Sequence, residues 1–139
     1  MGTAPKLSSG GASRSNAKAL VVDDDRFQLD LSTELLHGLG IADVTCVTSG
    51  TEALQKIASR PETYQLILID LHMPGMDGFQ FMDSLAQVGY KGNLIIVSGQ
   101  SNDVMQGATL VAKLRRFTLL GALAKPLERA ALAALLAKA

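Results

Sequence analysis

From Ala19 onward, short apolar runs alternate with longer segments of helical period. The runs ALVV (19–22), DVTCV (43–47), LILI (66–69), NLIIV (93–97) and TLLGAL (118–123) read as five strands. Three are almost wholly apolar, the pattern of strands buried on both faces of a parallel sheet. Between and after them, apolar positions recur at helical spacing: Phe27, Leu31 and Leu35; Ala53, Leu54, Ile57 and Ala58; Phe81, Met82 and Leu85; Val104, Ala108 and Val111; Leu132, Leu135 and Leu136. These stripes predict five amphipathic helices, each turning one apolar face to a core. Ser49 and Glu52 have capping-box spacing at the second helix, and Ser101 or Asn102 can cap the fourth. Glycines 38, 40, 50, 89 and 92 punctuate element ends. Strict βα alternation predicts one small doubly wound α/β domain, with right-handed crossovers and helices on both faces of a parallel sheet.

Residues 1–18 break this pattern. Leu7 is their one large aliphatic residue after Met1, and Lys6, Arg14 and Lys18 are their only charges, so they read as a flexible tail before a domain at 19–139. The 139 residues carry 13 bases and 13 acids, a formal charge of zero, which argues against nucleic-acid or acidic-membrane binding by bulk charge. Outside the tail, all 13 acids face ten bases, an excess of three negative charges. Six aromatics and no Trp weaken readings that need stacking platforms. No apolar run approaches the ~20 residues of a membrane span. The single Cys46 cannot form an intramolecular disulfide; it predicts a cytoplasmic chain and reads as a small buried hydrophobe on the second strand.

In doubly wound sheets ligands bind beyond the carboxyl ends of the strands, so the residues just after each strand are the place to look for chemistry. Asp23, Asp24 and Asp25 follow the first strand, Asp70 the third, Ser98 the fourth, and Lys125 with Pro126 the fifth. Alone, an Asp run is often a turn or a cap, and a Lys-Pro pair is usually a surface turn. Together they bring carboxylates, a hydroxyl and an amine to one rim. Two carboxylates ~4 Å apart repel by roughly 4 kcal/mol at an effective dielectric near 20, a sizeable part of a small domain's stability. Protonation of one acid can offset this. A hard divalent cation such as Mg²⁺ does so more naturally, leaving positions for water and a phosphoryl oxygen. A carboxylate flanked by a cation, a lysine and a hydroxyl suits phosphoryl transfer, which depends on positioning and charge neutralisation more than on acid–base groups. Neither His37 nor His72 is needed as a base.

These residues, in this order, closely resemble the receiver domains of two-component response regulators. The resemblance covers about residues 18–138 and rests on VVDDD (21–25), LILIDLHMPGMDG (66–78), IIVSG (95–99) and ALAKP (122–126). It implies a flavodoxin-like (βα)5 fold with strand order 2-1-3-4-5, the order that the chemotaxis receiver exemplifies. It further implies that Asp70 takes the phosphoryl group from a sensor histidine kinase or phosphotransfer protein. Asp24, Asp70 and the backbone carbonyl of His72 would bind Mg²⁺ directly and Asp23 through water, while Ser98 and Lys125 would contact the phosphoryl group. Residues from Met73 to Gly78 match the turn after the phosphoacceptor strand, and Asp25 is left to cap or solvate.

Two departures stand out. Many receivers carry Tyr or Phe three residues before the active lysine; here the position is Ala122. Ser98 and Lys125 are also 27 residues apart, several more than usual. The stretch from Ser98 to Glu128 resembles receivers that precede cyclic-di-GMP phosphodiesterase domains of the EAL type. Because the sequence departs most there, partner binding or homodimerisation is expected through residues 101–138, with Arg115 and Arg116 either a solvated helix end or a contact. Two readings from other classes remain: a phosphatase of the haloacid dehalogenase type, with Asp23 as nucleophile and Asp25 as acid, and a flavodoxin relative. The first lacks the motif continuation at Arg26 and Phe27; the second lacks a Ser/Thr/Gly-rich phosphate cradle.

Overall fold

The computed structural model describes residues 16–71, 78–99, 107, 109 and 117–139. Five strands, β1 (Lys18–Val22), β2 (Asp43–Val47), β3 (Leu66–Asp70), β4 (Asn93–Ser98) and β5 (Thr118–Ala124), form one parallel sheet in the order β2-β1-β3-β4-β5. All five predicted strands are present, within one residue at each end. The described helices are α1 (Arg26–Gly38), α2 (Gly50–Ser59), α3 (Gly78–Val88) and α4 (Arg129–Leu136), with a 3-10 turn at Pro61–Thr63. The stripe at Val104, Ala108 and Val111 lies outside the described residues, as do the caps at Ser101 and Asn102; Gly107 and Thr109 are both helical. Residues 1–15 of the expected tail, the turn at 72–77 and the Arg115–Arg116 pair also lie outside them. Of the tail's last residues, Ala17 is buried and Lys18 opens β1.

Strand alternation sorts the aliphatic side chains into two layers. Leu20, Val22, Ile67, Ile69, Leu94 and Ile96 face α2 and α3, where Ala53, Ile57, Phe81, Met82 and Leu85 close the layer. Ala19, Val21, Leu66, Leu68, Ile95 and Val97 face α1 and α4, against Leu29, Leu36, Leu132, Leu135 and Leu136. Fully burying one such side chain contributes about 1.5–3 kcal/mol, so a core nearly free of aromatics suffices.

Two expectations fail. Phe27 is 69% exposed, and α1 buries Leu29, Ser32 and Leu36 instead, with Leu31 and Leu35 only half-buried at the layer's edge. At about 100° per residue Phe27 lies on the opposite side of α1 from Leu29 and Leu36, and a four-residue repeat drifts by about 40° a step, so Leu31 and Leu35 reach only the edge of the buried face. Cys46 is exposed rather than buried. It sits on β2, an edge strand, with Sγ 3.2 Å from Thr33 Oγ1 in a cleft that Arg26, Asp30, Thr48 and Glu52 also line.

In β5 the register slips by one residue. Leu94 pairs with Leu119 and Ile95 with Gly121, which leaves Leu120 as a bulge. Leu120 and Gly121 therefore both face the α4 layer. A Cβ at Gly121 would stand 2.6 Å from Leu135 Cδ2, so any larger residue there would push the Leu135 side chain aside.

Candidate functional site

The sheet order reverses direction at β1, whose neighbours are β2 and β3, and the parallel register sets the ends of β1 and β3 side by side. Val22 is level with Ile69, so Asp23 and Asp70 each stand one step beyond a paired apolar residue. The ladder continues past them: Asp23 N–H donates to Val47 O at 3.1 Å and Leu71 N–H to Val97 O at 3.2 Å. Both carboxylates are thereby fixed by backbone and held nearly out of water, with side-chain exposures of 7% and 5%.

On the far side, Ser98 is fully buried at the end of β4, and its carbonyl accepts the Lys125 N–H at 3.0 Å. The bond anchors Lys125 just past the end of β5, before a cis peptide to Pro126. Its ammonium lies 2.9 Å from Asp23 Oδ2 and 3.2 Å from Asp70 Oδ2. Burial alone would lower the lysine pKa. The hydrogen bond and charge of Asp23, with those of Asp70, outweigh it and hold the ammonium above its ordinary value.

Asp24, exposed, completes the group: one carboxylate oxygen from each of Asp23, Asp24 and Asp70 lies within 4.8 Å of the others. Three anionic oxygens at that spacing form a hard donor set of the kind that Mg²⁺ takes. Of the residues expected from sequence, Asp23, Asp24, Asp70 and Lys125 thus meet at one point. Ser98 lies beside them at the end of β4, and His72 falls outside the described residues.

Asp25 has a local task. Its Oδ1 accepts the Phe27 N–H at 2.9 Å as the N-cap of α1, and its own N–H donates to Asp23 Oδ1 at 2.9 Å. One oxygen of Asp23 is thus held by backbone while the other meets the lysine. An acid engaged as a cap is poorly placed to protonate a leaving group, which removes the second carboxylate of the phosphatase reading. The second helix bears out its expected cap: Ser49 Oγ accepts the Glu52 N–H at 3.1 Å, and Glu52 reaches back to the Thr48 N–H.

What sequence reasoning missed is the rim. Phe27, assigned to the core, is the one large hydrophobic side chain exposed among the described residues, and it stands two residues beyond the cap that steadies Asp23. The triple-Asp run was the available signal, since an N-cap at Asp25 puts Phe27 in the first helical turn.

The profile of the response regulator receiver domain matches residues 19–137. Over 100 residues the chain is 34% identical to probable histidine kinase 4 of Oryza sativa subsp. japonica, covering 72% of this chain and 9% of that protein. The chain thus spans less than a tenth of that relative. It is similar to a CheY-like response regulator receiver domain from Methylobacillus flagellatus, with 30% identity, a TM-score of 0.68, and coverage of 84% of this chain and 92% of the other. The CheX–CheY–BeF3–Mg²⁺ complex from Borrelia burgdorferi shares the fold at 20% identity and a TM-score of 0.76, with coverage of 88% and 87%. An acidic pocket of Asp23, Asp24 and Asp70 is typical of a Mg²⁺-dependent phosphoacceptor. The chain belongs to the response regulator receiver domain family, the signalling switches of two-component systems.

Proposed function

We propose that Asp70 accepts a phosphoryl group from a phosphohistidine on a sensor histidine kinase or phosphotransfer protein. Asp24, Asp70 and the His72 carbonyl would hold Mg²⁺ directly and Asp23 through water. The observation that carries the reading is the convergence of three carboxylates within 4.8 Å, two of them bridged by Lys125, at the point where the sheet order reverses. A fold relative solved with BeF3 and Mg²⁺ supports the same ion here. Bound in the pocket, Mg²⁺ supplies charge neutralisation for the carboxylates and the incoming phosphoryl oxygens.

The chain's own groups account for the rest. An Asp70 Oδ forms a bond to phosphorus as the phosphorus–nitrogen bond breaks, and the imidazole leaves with the electron pair. A carboxylate attacks without giving up a proton, so the step uses no base. Lys125 pairs with the transferred group and the Ser98 hydroxyl donates to it, replacing solvent in a nearly dry site. Self-catalysed phosphorylation and hydrolysis follow from the same groups.

Incubation with Mg²⁺ and a small acyl phosphate should add one phosphoryl group by intact mass, and Asp70→Asn should add none. No gain in wild type, or equal gain in the variant, would overturn the assignment. Output is assigned to altered contacts through residues 101–138, including a homodimer. The resemblance of the stretch from Ser98 to Glu128 supports an EAL-type phosphodiesterase as the output domain.

A further inference from the structure

We infer that Asp25 is a positioning residue for phosphoryl transfer: by tying the start of α1 to the turn at 23–25, it aims the Asp23 and Asp24 carboxylates at the metal. The inference rests on the Mg²⁺ reading above and concerns what sets the geometry of that site. Asp25 is bonded through its N–H, its side chain and its carbonyl. The N–H donates to Asp23 Oδ1 at 2.9 Å, Oδ1 accepts the Phe27 N–H at 2.9 Å, and the carbonyl accepts the Leu29 N–H at 3.0 Å. Leu29 is buried in the layer that α1 and α4 share, so the far end of this chain of bonds is fixed by the core. The near end is fixed by the sheet, because Asp23 N–H donates to Val47 O.

Asp24 depends on this turn most. It is exposed, and among the described residues nothing bonds its carboxylate, yet one of its oxygens meets those of Asp23 and Asp70 within 4.8 Å. The bond from Asp25 N–H to Asp23 Oδ1 closes a ring around the backbone of Asp24, and that ring sets the direction in which the Asp24 side chain leaves the chain. Without its cap the first turn of α1 loses a partner for a free N–H and frays, and the Asp25 N–H moves with it. The turn then samples arrangements in which the oxygens do not converge, and the apparent metal affinity falls with the fraction that do. What acts is the cap and not the charge, since the Asp25 carboxylate is engaged by the Phe27 N–H.

The test separates cap from charge at this one position. Calorimetric titration of the full chain with Mg²⁺ compares wild type with four variants. Asp25→Asn and Asp25→Ser cap without charge; Asp25→Glu keeps the charge on a side chain too long for the cap; Asp25→Ala has neither. Asp25→Ala and Asp25→Glu should bind Mg²⁺ about fivefold more weakly, while Asp25→Asn and Asp25→Ser should stay within about twofold of wild type. With a small acyl phosphate as donor, the half-saturating Mg²⁺ concentration for Asp25→Ala should rise by the same factor, and saturating Mg²⁺ should restore the rate to within about twofold of wild type. A lower Tm with unchanged Mg²⁺ affinity would leave Asp25 a structural cap only and overturn the inference. Equal weakening by Asp25→Asn, Asp25→Ser and Asp25→Ala, the mark of a charge effect, overturns it as well. If Asp25→Ala does not fold, Asp25→Glu against Asp25→Asn carries the same expectations and the same refutations. Failure of wild type itself to bind Mg²⁺ would instead remove the metal reading, which separates the two failures.

Discussion

Tyr90 closes the α2–α3 layer from below, with its ring buried and its hydroxyl donating to Asn93 O at 2.9 Å. Burial drives the phenol pKa well above its ordinary value. In the unfolded chain the phenol ionises at about pH 10, whereas the native protein keeps the proton. Native stability should therefore be whole below that pH and fall as pH rises beyond it, because the unfolded state binds fewer protons. Tyr90→Phe should flatten this alkaline decline while costing about 1 kcal/mol near neutrality through the lost hydrogen bond. Urea denaturation of both proteins from neutral to alkaline pH measures the difference, and parallel curves would refute it. At this scale the chemistry was legible because Asp23, Asp70 and Lys125 follow directly on apolar runs whose ends are sharp. Cys46 was not, since DVTCV alone does not reveal that β2 lies at the sheet's edge.

Among the elements, α1 is where sequence and structure part. A four-residue repeat of Phe27, Leu31 and Leu35 looks like a core stripe, yet packing selects Leu29, Ser32 and Leu36. Three-four spacing admits either face, and the choice depends on where the helix meets the sheet. The result is an apolar ring on the rim of the acidic pocket. On the proposed role of Asp70, a phosphohistidine protein would have to bring its imidazole there and so cover that rim, whereas a small acyl phosphate would not. Phe27→Ala should slow phosphotransfer from a phosphohistidine protein by about tenfold, the scale of a single buried aromatic anchor. Phosphorylation by acyl phosphate should be unchanged. Rapid-quench transfer assays with both donors decide the matter: equal losses would point to a damaged pocket, and no loss to a ring outside the interface.

For the whole molecule, the balance of 13 acids and 13 bases hides an uneven distribution: with Lys18 opening β1, 13 acids face 11 bases from there on, and three of the acids gather at one end of the sheet. The two-layered core follows from strand alternation, the strand order was implied by the resemblance to receivers, and the acidic pocket follows from that order. Output does not, because surface contacts leave little periodic signal. Phosphorylation is expected to change the face that carries β5 and α4, so hydrogen exchange with and without beryllofluoride should show altered protection within residues 101–138. Unchanged protection there would place the output elsewhere.

The bulge at Leu120 bears on how a second molecule can use that face. β5 is an edge strand, and a smooth edge offers its unpaired backbone groups to any passing strand. One extra residue interrupts that hydrogen-bonding template midway, which disfavours strand addition at this edge. A partner of this face then docks chiefly by its side chains rather than by extending the sheet.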